Sequence, residues 1–211
     1  MWRGLCTRPA VYYVRPMKDV VSELAACALC SERFAETETA HSPRPIIWFR
    51  SGARVLIAGQ APGMRVHLDG RPFTDPSGDR LRDWLQTDPD TFYDRERIAI
   101  VPMAFCFPGY DARGSDLPPP PVCARTWRAA VLDTLPRVAV TLVIGGYAMK
   151  YHLGKVASVT AAVREQPGRD RGVWALPHPS WRNTGWLKKN PWFEAEILPD
   201  LRQAVHEALH D

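Results

Sequence analysis

Apolar residues along this chain come in short blocks, each ending at a loop rich in glycine or proline. The run Val55-Leu56-Ile57-Ala58 is unbroken, too short for a helix, and reads as a buried strand. It empties into Gly59-Gln60-Ala61-Pro62-Gly63 and then into a second loop that carries Phe73 and Asp75. A helix over 78–86 follows, with Leu81, Trp84 and Leu85 on one face and Asp75 or Ser77 placed to cap its free N–H groups. Ile98 to Met103 reads as a second buried strand, Val138 to Ile144 as a third and Val173 to Leu176 as a fourth. Helical spacing occupies 18–35, 127–135, 147–153 and 192–209. Between these lie a polar connector from Glu36 to Pro45, the run Ile46-Ile47-Trp48-Phe49, a loop at Asp88-Pro89-Asp90 and a Pro-rich loop reaching Pro121. Strands that alternate with helices predict an α/β fold of three layers, α/β/α, around a central four-stranded parallel sheet.

Composition changes this picture only at its edges. The 211 residues are 45% hydrophobic, enough for one domain over 1–211 with a sizeable core, and residues 1–17 read as a poorly ordered extension to it. Met17 is an alternative start. No apolar run approaches the roughly 20 residues of a membrane helix, and the N-terminal stretch lacks the apolar segment of a secretory signal. A soluble, cytoplasmic monomer is expected. A net charge of +4 permits an anionic partner without requiring one. Five cysteines in such a chain argue for a metal, a cluster or buried thiols rather than disulfides.

The candidate chemistry sits at strand ends, where open α/β sheets hold ligands. Gly59-Gln60-Ala61-Pro62-Gly63 lacks the Lys-Ser/Thr ending of a phosphate-cradling loop and departs from the dinucleotide fingerprint. On its own it can equally meet a turn requirement. His178-Pro179-Ser180 leaves the fourth strand, where a neutral imidazole can donate to an oxygen that gains negative charge. Asp75 has two readings, a carboxylate that orients water or a helix cap. Cys27-Ala28-Leu29-Cys30, Cys106 and Cys123 can hold an iron–sulfur cluster or a tetrahedral zinc, or be buried thiols. Cys6 has no evident partner.

Together, Gly59-Gln60-Ala61-Pro62-Gly63, the stretch from Gly70-Arg71-Pro72-Phe73 to Gly78, and His178-Pro179-Ser180 resemble the uracil-DNA glycosylase superfamily over about residues 20–205. Gly70-Arg71-Pro72-Phe73 resembles family 4, and Phe73-Thr74-Asp75 with Ser77-Gly78-Asp79 resembles family 5. The resemblance implies a DNA-repair hydrolase that flips uracil or another deaminated base out of the duplex and cleaves its N-glycosidic bond. It implies catalytic roles for His178, Asp75 and Gln60, and a base pocket formed by Gly59, Ala61, Pro62, Gly63, Phe73, Ser180 and Asn183. Phe73 would stack on the base. In the basic stretch after Ser180, it implies phosphate contacts by Arg182, Lys188 and Lys189 and a wedge in the base stack at Trp186 or Leu187. A solvated basic loop with buried tryptophans is the competing reading of that stretch.

The resemblance also implies a [4Fe-4S] cluster on Cys27, Cys30, Cys106 and Cys123, zinc being the alternative, with no soluble cofactor. The chain departs from the superfamily pattern in two places. Gln60 stands where family 4 carries Glu, and Val101-Pro102-Met103 stands where a base-reading Asn is expected. These departures leave the preferred base open, and with it a catalytically weak or inactive DNA- or nucleotide-binding member of the same fold.

Overall fold

The computed structural model describes residues 15–211; residues 1–14, and with them Cys6 and most of the expected extension, lie outside the described residues. The chain begins with α1 (Met17–Ala25) and α2 (Ser31–Ala35), and reaches β1 (Val55–Ala58) through the connector. It continues through α3 (Met64–Asp69), α4 (Pro76–Leu85), α5 (Pro89–Tyr93) and β2 (Ile98–Ile100). After the Pro-rich loop, α6 (Pro121–Cys123) runs through a π turn at Ala124–Arg128 into α7 (Ala129–Asp133). Then come β3 (Val140–Ile144), α8 (Gly146–Leu153), α9 (Val159–Glu165), β4 (Val173–Leu176), α10 (Thr184–Lys189) and α11 (Leu198–His210).

The strands form the expected four-stranded parallel sheet, and its order is β2-β1-β3-β4. Because side chains alternate across a strand, Val55 and Ile57 enter one core and Leu56 the other. The first core packs β1 to β4 against α4, α8, α9 and α11; the second packs Leu56, Ala99 and Val101 against α1 and the helical run ending in α7. Helices on both faces make the three layers. No helix among the described residues is long and apolar enough to cross a membrane.

Several boundaries differ from expectation, each for a local reason. The helix read over 18–35 breaks at 26–30, which places Cys27 and Cys30 in a turn between α1 and α2. Good helix formers there yield to tertiary contacts, since Cys27 Sγ accepts from Trp127 Nε1 at 3.2 Å. β2 stops at Ile100 rather than Met103, because Pro102 has no N–H and the Val101 and Pro102 carbonyls accept from the Arg128 guanidinium at 2.9 and 3.0 Å. The stretches read as loops at 64–69, 89–93 and 184–189 are short helices, α3 being closed by Gly70 in the left-handed conformation (φ 75°).

Candidate functional site

The carboxyl ends of all four strands meet at one cavity of about 200 Å3. Its wall includes the loop Gly59–Gly63 after β1, Pro102 after β2, Ile144 at the end of β3 and His178 after β4, with Phe73 and Asp75 closing it. It is smaller than the roughly 300–1,000 Å3 that drug-sized ligands occupy, and suits a single flat ring. It adjoins an open cleft of about 440 Å3 that shares Asp75, Asp116 and His178 and adds Ser180, Trp181 and Arg182.

The loop after β1 is pinned from below: the Gly59 and Gln60 carbonyls accept from the N–H groups of Met103 and Ala104 at 2.9 and 3.1 Å. Its upper side is bare. A Cβ added at Gly59 or Gly63 would meet nothing within 4 Å, and the N–H groups of Gln60, Ala61 and Gly63 have no hydrogen-bond partner among the described residues. Unpaired N–H groups beside a cavity suit an acceptor that carries negative charge.

Phe73 sits in the left-handed region (φ 57°), a conformation that costs a bulky residue energy and must be held by its surroundings. Its carbonyl accepts from Tyr93 Oη at 2.6 Å and from Arg82 Nη1 at 3.3 Å, and its ring meets the edge of Phe92 at 6.1 Å. The ring is only partly buried, so one side remains on the cavity.

Asp75 fulfils its capping role: Oδ1 accepts from Gly78 N–H at 3.3 Å and from the Ser77 hydroxyl. Oδ2 makes no hydrogen bond among the described residues, and the side chain lines the cavity. One carboxylate therefore caps α4 and faces the pocket together.

The tautomer of His178 follows from its neighbour. The Ser180 backbone N–H donates to Nδ1 at 3.1 Å, so Nδ1 is bare and the neutral ring carries its proton on Nε2. The residue is exposed at the rim shared by the cavity and the cleft. Desolvation by the neighbouring protein lowers its pKa; Asp75 opposes this and Arg182 adds to it. The loop is braced by Asn183 Nδ2, which donates to the His178 carbonyl at 2.7 Å, and by Arg80, whose Nη1 donates to the Ser180 carbonyl at 2.9 Å. Arg80 Nη2 also reaches Thr184 Oγ1 at 3.2 Å, tying the loop to α4.

Gly59, Gln60, Ala61, Pro62, Gly63, Phe73, Asp75 and His178 are thus brought to one cavity, with Ser180 at the adjoining cleft. Asn183 lies behind the wall, engaged with backbone. Arg182, Lys188 and Lys189 are exposed, but Trp186 and Leu187 are packed against the core. The Trp186 ring meets Trp192 and Phe193 edge-on at 5.7 and 5.9 Å, and its Nε1 donates to Thr160 Oγ1 at 2.8 Å. The exposed apolar side chain on this face is Trp181, 74% accessible beside Arg182. Its position directly after Ser180 was the available signal.

Asp116 was not legible in the sequence at all. It lines both cavity and cleft from the Pro-rich loop, a segment without periodicity. Desolvation raises its pKa and Arg182 opposes the shift. Pro102 occupies the wall at the position expected for a base-reading Asn, and its side chain offers no donor.

The four cysteines form a separate place. Cys27, Cys30, Cys106 and Cys123 line one small apolar cavity between α1, α2, the Pro-rich loop and α6, and all are free thiols. Burial, reinforced by the neighbouring cysteines, pushes Cys106 up to about 12 and Cys123 up to about 11. Among the described residues no group of three or more His, Cys, Asp or Glu side chains is gathered so as to hold a metal ion. The four side chains lining it are all sulfur donors and are partly buried.

The family model for the uracil DNA glycosylase superfamily matches residues 47–202, a span that contains the whole cavity wall except Ile46, which sits one residue ahead of it.

Proposed function

The chain belongs to the uracil DNA glycosylase superfamily, and from that premise we propose that it removes a uracil-like base from DNA by hydrolysing the N-glycosidic bond. The observation that carries this reading is that Phe73 and His178, distant in sequence, line one ring-sized cavity with the bare loop Gly59–Gly63. A flipped base would lie on Phe73. As the C1′–N bond breaks, its electron pair passes to the base nitrogen and spreads to the ring carbonyls. His178 Nε2–H and the N–H groups of Gln60, Ala61 and Gly63 are the donors placed for that charge. Asp75 Oδ2 faces the sugar side, where a carboxylate steadies positive charge and takes the proton of the water that bonds C1′. Asp116 is a second carboxylate within reach of the same cleft. Gln60 enters through its backbone; its side chain carries no proton-transfer group.

On the outer face, Arg182, Lys188 and Lys189 fit phosphate contacts, and Trp181 fits the wedge that fills the gap left by the base. The reading is tested by incubating the protein with single- and double-stranded oligonucleotides carrying uracil, hypoxanthine or xanthine. An abasic product above a His178→Ala control supports it, and none on any base overturns it. Retained binding without an abasic product would point to the non-cleaving member of the fold.

Within the superfamily the residues fit the iron–sulfur type of families 4 and 5. Cys27, Cys30, Cys106 and Cys123 would hold the [4Fe-4S] group, which when bound supplies a structural tie between the N-terminal turn and the Pro-rich loop. Support comes from the cavity they share and from the Cys-x2-Cys spacing of Cys27 and Cys30. Anaerobically purified protein is expected to be brown, with about four iron atoms per chain. Cys106→Ala is expected to remove the visible absorbance and lower the melting temperature. Colourless protein with stoichiometric zinc would replace the cluster by zinc.

A further inference from the structure

Arg128 is fully buried, at 0% accessibility, and has no ion pair with a carboxylate among the described residues. A buried charge without a counter-ion is expensive, and such groups are retained where they act. Arg128 ends the π turn at Ala124–Arg128, a distortion that recurs at functional sites. Its Nη1 holds two consecutive carbonyls, Val101 at 2.9 Å and Pro102 at 3.0 Å, and Pro102 is part of the cavity wall. Nη2 pairs with Nε2 of His152, the Tyr151 ring lies 4.9 Å from Cζ, and Nε is buried without a partner.

These surroundings keep the guanidinium charged and the imidazole neutral. Burial lowers Arg128 only to about 10. Burial and the Arg128 charge push His152 down to about 4, so its ring accepts from Arg128 and adds no charge of its own. The nearest neutralising groups are two carbonyl oxygens, which orient towards the cation without cancelling it.

We propose that Arg128 is a positioning residue of the base pocket: it turns the Val101 and Pro102 carbonyls away from the cavity and sets a fixed positive charge behind the Pro102 wall, favouring a base that leaves as an anion. The inference deepens the glycosylase reading and rests on it. A carbonyl lone pair facing the ring would repel the electron pair released by the C1′–N bond. Here both oxygens are occupied by the guanidinium. The charge lies one residue behind the wall, in a low-dielectric interior where it is poorly screened. It also compensates for a wall that carries Pro102 in place of a donor side chain.

The test compares the full chain with Arg128→Met and Arg128→Lys, measuring single-turnover excision of uracil and of 5-fluorouracil, whose anion is the better leaving group. Arg128→Met is expected to lose about 30-fold on uracil, or about 2 kcal/mol at 1.36 kcal/mol per tenfold, and only a few-fold on 5-fluorouracil. Arg128→Lys is expected to recover part of the uracil rate. Equal losses on both bases would mean a merely structural role and overturn the proposal.

A second measurement uses free bases and no chemistry: calorimetric binding of uracil and of 5-nitrouracil, which is anionic at neutral pH. Wild type is expected to favour the anion at least tenfold, and Arg128→Lys, the variant that keeps the charge if Arg128→Met does not fold, to retain most of that preference. No preference in wild type overturns the proposal. Preference for the anion with no excision of any base overturns the glycosylase reading and leaves the electrostatic role of Arg128 standing.

Discussion

Replacing His178 with alanine is expected to lower the single-turnover rate of base excision by about 10²–10³-fold, the range seen when one preorganised donor to a developing anion is removed. The Ser180 N–H on Nδ1 leaves Nε2–H as the only proton the neutral ring can offer the cavity. Substrate affinity is expected to change far less, because stacking on Phe73 and the phosphate contacts are untouched. The pH profile provides an independent check. Since desolvation lowers the pKa of His178, the neutral donor persists below the ordinary imidazole range. Protonation at Nδ1 would set its new N–H against that of Ser180 and break the loop geometry. The wild-type rate is therefore expected to hold as pH falls to the ordinary imidazole pKa and to drop only at more acidic pH. A rate that falls with an ordinary or raised imidazole pKa, or an alanine variant within a few-fold of wild type, would remove His178 from this role.

The largest expected effect on stability is at Gly78, measured by thermal or denaturant unfolding. A Cβ there would stand 1.9 Å from the Phe73 carbonyl oxygen, 2.6 Å from its carbon and 2.9 Å from its Cβ. The first two are backbone atoms, so no rotamer change relieves the clash. Phe73 cannot retreat cheaply either, as its carbonyl is held by Tyr93 and Arg82 and its φ is already positive. Gly78→Ala is expected to cost about 3 kcal/mol, at the upper end of overpacking penalties, and to lower the melting temperature by roughly 6–12 °C for a chain of this size. It should also displace Phe73 and weaken base binding. Gly59→Ala, where the added methyl meets open space, is the matched control and is expected to stay within about 0.5 kcal/mol of wild type. Equal stability of the two variants would show that Phe73 is not held as described.

Those two residues also mark how far local pattern reaches. The strand Val55–Ala58, its Gly-rich exit and the Asp75 cap of α4 were legible because each depends on neighbours a few positions away. The short helices α3, α5 and α10 were not. At five or six residues they have no room for a periodic stripe and exist through packing and end-capping. The basic stretch after Ser180 misled for a related reason. Trp181 and Trp186 have the same hydrophobicity, and only packing against Trp192 and Phe193 decides that Trp186 turns inward while Trp181 faces outward.

The amino-acid order alone determined the strand and helix alternation, the loop chemistry at the strand ends and the spacing of the cysteines, since these rest on side-chain periodicity and on the backbone limits of glycine and proline. Only the tertiary structure decided which loops share a cavity, which nitrogen of His178 carries the proton, that Asp116 joins the cleft, and that Arg128 lies behind Pro102 with no carboxylate partner among the described residues. Those depend on contacts between residues far apart in the chain, whose free energy is set by desolvation and hydrogen-bond geometry once the sheet has brought them together.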